Sequence, residues 1–349
     1  MLVTKEAVFK RFWYPVIPKS HLLKKPQGFE LLGQKIVVWL DDDGQAAAAR
    51  DRCCHRSAQL SKGQVIDGNI ACDYHGWQFN SDGTCVKVPQ LQANSSIPKN
   101  YKIETYACQE RYGYIWVCLG EPLRGIPDIA EASDPNFRLI PEFYEIWNCA
   151  GLRVMENELD LAHPTFVHTT TFGSEDHPIP DEIKVTDTDY GIHTSAILGV
   201  VNPELQRKNL KMSEEVTNRI LDMDWYLPFT CKLRINYPNG LVHIVVNTTT
   251  PINDSSSQIV QFCLRNDTEA ETKAADVIAF DRAVTLEDKA ILESTDYDVP
   301  LDLKQEQHMM TDQPGIFMRR KLSRLIAQEQ ELNNDINIKS PIVALQTSQ

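Results

Sequence analysis

The sequence feature that most restricts the fold is a set of two cysteines and two histidines in two short segments. Cys53 and His55 are separated by one residue, and Cys72 and His75 follow after a stretch that contains glycines. Two thiolates and two imidazoles suit either a tetrahedral zinc ion or an iron–sulfur cluster. Each segment supplies one Cys and one His, whereas structural zinc sites usually pair ligands of one kind. This division favours a [2Fe–2S] cluster, with both thiolates on one iron and both imidazoles on the other.

The first third of the chain has a β pattern. Residues 37–40 are β-formers that end at an Asp- and Gly-containing turn, and residues 46–54 continue as an extended run. Residues 113–120 alternate β-formers between two glycines. No helical periodicity interrupts these runs, so we expect strands joined by loops.

The second part of the chain mixes helix and strand patterns. Helical patterns cover residues 155–163, 271–294 and 318–332, and the first of these should end at Pro164. Residues 230–252 form two alternating runs joined by a Pro-Asn-Gly turn, which predicts a hairpin.

A Pro-containing stretch after Gly120 marks the boundary between these two parts. We therefore predict an α+β chain of two domains. An all-β domain would cover residues 1–123, and a domain with an antiparallel sheet flanked by helices would cover residues 124–349. The length of 349 residues agrees with two domains.

Charge and cysteine content restrict the function and the location. The 35 basic and 48 acidic side chains give a net charge of −13, which argues against binding nucleic acid through a basic surface. Nine cysteines are an odd number and too sparse for a disulfide scaffold, so we expect free or metal-bound thiols in the cytoplasm. We find no signal-peptide pattern and no run of 18 apolar residues, so no membrane span is expected.

A second set of metal-type residues lies after residue 155. Asp160 and His163 stand three residues apart and would share a helix face, whereas His168 lies about 140° further round an ideal helix. Pro164 breaks that regularity, so a kinked or ended helix can aim both imidazoles at one point. Two histidines alone are also compatible with ordinary core packing.

A carboxylate is the expected third ligand, because two His and one carboxylate leave open positions on Fe(II). On the helix over residues 271–294, Asp288 falls within the apolar sector, where an unpaired acid is costly. Asp281 shares that sector and is the rival on geometry alone. Glu287 lies nearer its edge and is expected to be solvated or salt-bridged.

Substrate contacts are harder to assign from the sequence. His243 and Asn247 share one face of the predicted hairpin and are candidates for the pocket, although a polar outer sheet face is an equal alternative. Asn157 is a candidate to line the site, with an exposed helix amide as its alternative. Phe172 lies in a segment expected to form a lid.

These motifs resemble those of the Rieske oxygenases. Residues 53–63 and 72–79, CCHRSAQLSKG and CDYHGWQF, resemble the Rieske motif. Residues 157–168 match N-x-x-D-x-x-H-x4-H, and residues 287–293 resemble the family's E-D-x3-[LI]-E segment. The resemblance is nearest to α-only members such as vanillate O-demethylase, dicamba O-demethylase, caffeine N-demethylase and the saxitoxin-pathway hydroxylases.

The resemblance implies two metal centres. Cys53, Cys72, His55 and His75 would bind the Rieske cluster. A mononuclear Fe(II) would be bound by His163, His168 and Asp288. It also implies a homotrimer in which the cluster of one subunit faces the mononuclear iron of the next. Asp160 would bridge them by accepting hydrogen bonds from His163 and, across the interface, from His75.

The implied activity is an O2-dependent hydroxylation or oxidative demethylation of a small organic substrate. The chain has neither a dinucleotide-binding fingerprint nor plant-type ferredoxin cysteines, so NAD(P)H would be oxidised by a separate ferredoxin or flavin reductase. Three alternatives stay open at this point: aromatic ring dihydroxylation, a Rieske electron-transfer protein without oxygenase activity, and a zinc-stabilised interaction protein.

Overall fold

The α+β fold class is confirmed. A computed structural model describes residues 1–23, 25–92, 95–173, 175–176 and 178–339. The strands are β1 (Tyr14–Pro18), β2 (Gln27–Leu31), β3 (Gln34–Leu40), β4 (Ala46–Arg50), β5 (Gln64–Ile66), β6 (Asn69–Ala71), β7 (Gln78–Phe79), β8 (Cys85–Lys87), β9 (Thr105–Arg111), β10 (Tyr114–Cys118), β11 (Arg138–Trp147), β12 (Asp181–Asp187), β13 (Gly191–Val201), β14 (Val216–Tyr226), β15 (Thr230–Asn236), β16 (Val242–Pro251) and β17 (Ser257–Arg265). The helices are α1 (Gly151–Leu159), α2 (Pro164–Val167), α3 (Glu204–Leu210), α4 (Ala274–Leu292) and α5 (Gln313–Lys339).

The N-terminal part contains two antiparallel sheets, as the β pattern predicts. Six strands pair in the order β1-β10-β9-β4-β3-β2, and four short strands pair in the order β5-β6-β7-β8. The loop after β4 carries Cys53 and His55, and the loop between β6 and β7 carries Cys72 and His75. The two sheets therefore bring the two cysteine–histidine segments to one end of this part.

The C-terminal part is built on one seven-stranded antiparallel sheet. Its order is β11-β17-β16-β15-β14-β13-β12, and the predicted hairpin is present as β15 and β16. Strand β17 is buried along its whole length because it lies between β11 and β16 and is covered on both faces. Along β13 buried and half-buried residues alternate, so one of its faces points into the core.

Helix α4 packs on this sheet, against strands β11 and β17. Val277 on α4 packs against Ile140 of β11 and Cys263 of β17. The helix also contacts α1, α2 and α3. The face of α4 that carries residues 281, 285 and 288 is consequently held over the sheet.

The two parts share a hydrophobic core. Phe229 packs against Phe9 and Tyr14, with ring centroids 5.6 and 6.1 Å apart. The hydroxyl of Thr250 donates to the carbonyl oxygen of Pro15 at 2.8 Å in a buried position. The N-terminal sheet therefore rests directly on the C-terminal one.

The predicted helix over residues 155–163 is wrong at its C-terminal end. Helix α1 ends at Leu159, and Asp160 has extended backbone angles. The Oδ1 atom of Asp160 accepts a hydrogen bond from the backbone N–H of Ala162 at 2.7 Å, which competes with continuing the helix. Pro164 then begins α2, because a proline at the first helical position needs no N–H partner.

Gly63 allows the two cysteine–histidine segments to approach. A Cβ atom at this position would lie 1.9 Å from the carbonyl oxygen of Ala71, the residue before Cys72. A backbone oxygen cannot shift far enough to relieve a contact of 1.9 Å, so the first segment would have to move away from β6. The glycine is thus required by the packing of one loop against the other.

We predict that Gly63→Ala lowers stability by about 1–3 kcal/mol, as overpacking against a rigid backbone does. Thermal unfolding of the purified protein measures this, together with its iron content. Gly125→Ala is the matched control, because a Cβ atom at Gly125 meets nothing within 4 Å. Equal melting temperatures for the two variants would contradict the role given to Gly63.

Candidate metal centres

The two cysteine-bearing loops repeat one hydrogen-bonding pattern. In each loop the cysteine N–H donates to the carbonyl oxygen five residues later, at 2.8 Å in both cases. The cysteine carbonyl accepts from the N–H four residues later, at 3.0 Å for Cys53 and 2.8 Å for Cys72. That fourth residue has positive φ, +61° at Ser57 and +73° at Gly76. Both cysteines are thereby presented from equivalent turns, and both are buried.

The two histidines of these loops are held next to each other. The rings of His55 and His75 lie 4.5 Å apart, and His55 also stacks on Trp77 at 4.5 Å. The indole of Trp77 donates to Gln90, whose amide donates to the carbonyl oxygen of His75. The Nδ1 atom of His55 is buried and has no hydrogen-bond partner. An unpartnered buried nitrogen beside two buried thiols is a donor set that fits a [2Fe–2S] cluster.

Three further ligand-type atoms converge in the C-terminal part. The Nε2 atoms of His163 and His168 lie 3.2 Å apart, and each lies 3.4 Å from Oδ1 of Asp288. This oxygen is buried and accepts no hydrogen bond. Two imidazoles and one carboxylate on one side of a shared point are typical of a non-heme Fe(II) site.

The second nitrogen of each histidine is oriented by an acceptor. Nδ1 of His163 donates to the backbone carbonyl oxygen of Asp160 at 3.0 Å, and Nδ1 of His168 donates to Oε2 of Glu287 at 3.0 Å. Protons on both Nδ1 atoms leave the Nε2 lone pairs directed at Asp288. Such supporting hydrogen bonds are usual behind metal-binding histidines.

The two histidines have opposite electrostatic surroundings. Burial lowers the pKa of His168, and the neighbouring His163 lowers it further. For His163 burial also opposes the charge, but the Asp288 carboxylate outweighs it and raises the pKa. The Asp288 carboxylate thus decides the direction of the pKa shift at His163, whereas at His168, where it also raises the pKa, burial outweighs it.

A cavity of about 160 Å³ opens beside this triad. Asn157, Phe172 and His243 line it, together with all three residues of the triad. Its apolar wall comes from β13, β14 and β15 and includes Leu198, Leu221, Met223, Leu233 and Ile235. A mostly apolar cavity with a few polar groups suits a small organic molecule.

Comparison with known proteins assigns the family. Residues 12–107 match the Rieske [2Fe-2S] domain, and residues 147–328, more than half of the chain, match the vanillate O-demethylase oxygenase C-terminal domain. The chain belongs to the Rieske oxygenases. It is therefore an oxidoreductase of the monooxygenase type with a [2Fe–2S] domain at its N-terminal end, as the resemblance implies.

The similarity extends over nearly the whole chain. The methylxanthine N1-demethylase NdmA of Pseudomonas putida is 28% identical over 338 residues, 90% of this chain and 89% of NdmA. The vanillate O-demethylase oxygenase subunit of Pseudomonas sp. strain HR199 is 27% identical, with 92% of this chain and 96% of that protein covered. The structure of NdmA from Pseudomonas putida CBB5 with caffeine has a TM-score of 0.81 at 27% identity and covers 94% of both chains.

The structure brings most of the sequence-predicted residues together, with two differences. The ring of His163 is held by the backbone carbonyl of Asp160, because the carboxylate Oδ2 lies 3.9 Å from Nδ1. Asn247 does not contribute to the cavity wall described by the structure. Its amide donates to Gln261 at 3.3 Å, and Gln261 lies between it and the cavity.

The rival carboxylate Asp281 belongs to a different cluster. Its Oδ2 lies 3.1 Å from Nε2 of His243, in a buried group that also contains Glu142 and Cys263. Burial raises the pKa of Glu142, and the negative charge of Asp281 raises it further. Burial opposes ionisation of Asp281 as well, but His243 outweighs it and lowers the pKa. The two carboxyl groups of this cluster therefore have pKa shifts of opposite direction.

Sequence reasoning missed the role of Glu287. The sequence places it in solvent or in a salt bridge, and its half-buried carboxylate accepts from the His168 ring and from the hydroxyls of Thr170 and Thr171. Its position at the edge of the apolar helix face could have indicated a contact with a neighbouring loop. Glu158 was missed too: it lines the cavity, where burial and Asp288 raise its pKa to about 8. In the described part of the chain, no helix is long and apolar enough to cross a membrane.

We predict that Glu287→Ala weakens metal binding at the candidate site formed by His163, His168 and Asp288 by about 10–100-fold, because His168 loses the acceptor that orients it. Iron titration in competition with a chelator measures the effect. Arg282→Gln is the control on the same helix, since Arg282 pairs with Glu145 at the surface. Unchanged affinity in Glu287→Ala would show that the loop orients His168 without help from α4.

Proposed function

We propose that this chain is a Rieske oxygenase that hydroxylates or oxidatively demethylates a small organic substrate with O2. The observation that carries the proposal is the convergence of His163, His168 and Asp288 on one point beside an apolar cavity. The relatives support it, because the names of two of them describe an N-demethylase and an O-demethylase.

The donor atoms suit two different iron groups. Cys53, Cys72, His55 and His75 would hold the [2Fe–2S] cluster, and the triad would hold a mononuclear Fe(II). When bound, the mononuclear iron supplies activation of O2 and the cluster supplies electrons one at a time. The chain's own residues provide the orientation: Glu287 fixes the ring of His168, and the Asp160 backbone fixes that of His163.

A separate ferredoxin or flavin reductase would supply the electrons from NAD(P)H. The sequence has no nicotinamide-binding fingerprint, and the chain's similarity to known proteins is to the oxygenase component. None of the nine cysteines forms a disulfide bond in the structure. That state agrees with a reducing compartment, so we propose a cytoplasmic enzyme.

We further propose the homotrimer that the family resemblance implies. The side chain of Asp160 is 36% exposed, and His75 is half-buried next to the exposed Tyr74. Both partners of the implied bridge are therefore accessible from outside the chain. We place the domain boundary at residues 123 and 124, between the two family matches.

Metal analysis tests the proposal directly. We expect about three iron atoms and two acid-labile sulfides per chain, and Asp288→Ala should lose one iron, keep the sulfide and form no product. Asp281→Asn is the control, because Asp281 lies on the same helix but contacts His243 instead of the triad. Zinc without sulfide, or full iron in Asp288→Ala, would refute the proposed centres. Formaldehyde among the products would identify demethylation, since a hydroxylated N- or O-methyl group releases it.

Asp160→Asn tests the bridge between subunits. The substitution keeps the backbone carbonyl that orients His163, so both iron groups should stay bound. Product formation should fall by about 10–100-fold or more, because the carboxylate no longer orients a partner imidazole. Single turnover of the reduced protein measures this, with cluster absorbance showing whether electrons leave. Normal oxidation of the cluster and normal product yield would exclude the bridging role.

A further inference from the structure

Arg219 is a buried cation without an acidic partner in the described part of the chain. Three arginines are buried there: Arg219, Arg265 and Arg319, each no more than 3% exposed. Arg265 forms an ion pair with Asp267, and Arg319 is paired with glutamates. Among the described residues no carboxylate oxygen lies within 4.0 Å of the Arg219 guanidinium. A buried charge without a counter-charge is costly, so its retention calls for a partner that is not part of the chain.

The surroundings of Arg219 hold the guanidinium without neutralising it. One amino group donates to Oδ1 of Asn202 at 3.1 Å. The guanidinium carbon lies over the rings of Phe172 and Tyr237, 5.1 and 5.4 Å from their centroids. Its Nε atom is buried and has no hydrogen-bond acceptor. Burial lowers the pKa of Arg219, and the charges of Tyr237 and Asp281 oppose that shift without reversing it.

Arg219 lies in the wall of the cavity that holds the triad. It comes from β14, and Phe172 connects it to the metal centre, because the Phe172 ring also packs on His168 with centroids 4.9 Å apart. The ring of Phe172 therefore contacts both the Arg219 guanidinium and the ring of His168. A small molecule bound to it would have its apolar body beside the triad.

Asp281 and His243 also line the cavity, with Oδ2 of Asp281 3.1 Å from Nε2 of His243. Glu142 belongs to the same cluster. Asp281 therefore has a partner within ion-pair distance, whereas Arg219 has none among the described residues, so a ligand can balance the charge of Arg219. A cationic ligand would meet repulsion from Arg219.

We propose that Arg219 binds an oxyanion of the substrate, so that the enzyme acts on small apolar molecules carrying one carboxylate. The planar guanidinium with its unpartnered Nε–H is suited to a carboxylate. This inference rests on the proposed oxygenase function, since it names the substrate class of the same cavity.

Matched ligands test the inference on the iron-loaded, full-length protein. The probes are 4-methoxybenzoate, its amide and its benzylamine analogue, with cyclohexanecarboxylate and its amide as a non-aromatic pair. Ligand-induced shifts of the melting temperature yield the affinities. We expect at least one carboxylate to bind about ten-fold more tightly than its amide, because a hydrogen bond to a charged group is the stronger one.

Substitution of Arg219 tests whether this residue causes the preference for a carboxylate over its amide. Arg219→Gln should reduce the carboxylate-to-amide ratio to about one, and Arg219→Lys should retain part of it. Arg207→Gln is the matched control, because Arg207 pairs with Glu215 outside the cavity and its loss should leave the ratio unchanged. A purely structural Arg219 would instead give a lower melting temperature without ligand and an unchanged ratio.

The outcomes separate this inference from the proposed function. The inference is overturned if no carboxylate binds better than its amide to the wild-type protein, or if the amine binds best. These results leave the iron content and O2-dependent turnover untouched. Conversely, a protein that prefers carboxylates but lacks the mononuclear iron and forms no product would refute the oxygenase proposal alone.

Discussion

The arrangement of His163, His168 and Asp288 depends on the hydrogen bond between His168 and Glu287. This hydrogen bond joins the loop after α2 to α4, across 119 positions of sequence. Because Glu287 and Asp288 are adjacent on a rigid helix, the contact that orients His168 also brings Oδ1 of Asp288 to 3.4 Å from both Nε2 atoms. The contact between helix and loop thus accompanies the convergence of three candidate ligands and the group that orients one of them.

Both centres are arranged by the backbone as well as by side chains. The two cysteine loops repeat the same pair of main-chain hydrogen bonds, and Gly63 lets them approach through contact with Ala71. At the triad, the interrupted helix gives Asp160 a free carbonyl that holds the ring of His163. Fixing ligands before a metal binds reduces the entropy lost on binding, which favours a precise geometry.

The cavity combines apolar walls with two charged groups of different surroundings. Asp281 lies 3.1 Å from His243, in a cluster that also contains Glu142. Arg219 is held by two aromatic rings and an amide, none of which carries a negative charge. An arginine without an ion pair among the described residues gives a bound anion a preferred position. That difference in surroundings, together with the position of Phe172 between Arg219 and His168, is the basis for the proposed substrate class.

The sequence by itself determined which candidate ligand types are present and the local patterns. The spacing of Cys53, His55, Cys72 and His75 predicted the cluster loops, and alternation predicted the sheet, because both signals are local. Ideal helix geometry placed Asp281 and Asp288 on the same face of α4, so it could not separate them; family resemblance favoured Asp288. Only the tertiary structure decided that they face different partners, that Glu287 supports His168 and that Arg219 forms no ion pair within the described part of the chain. Those facts depend on contacts between distant segments, which no local pattern records.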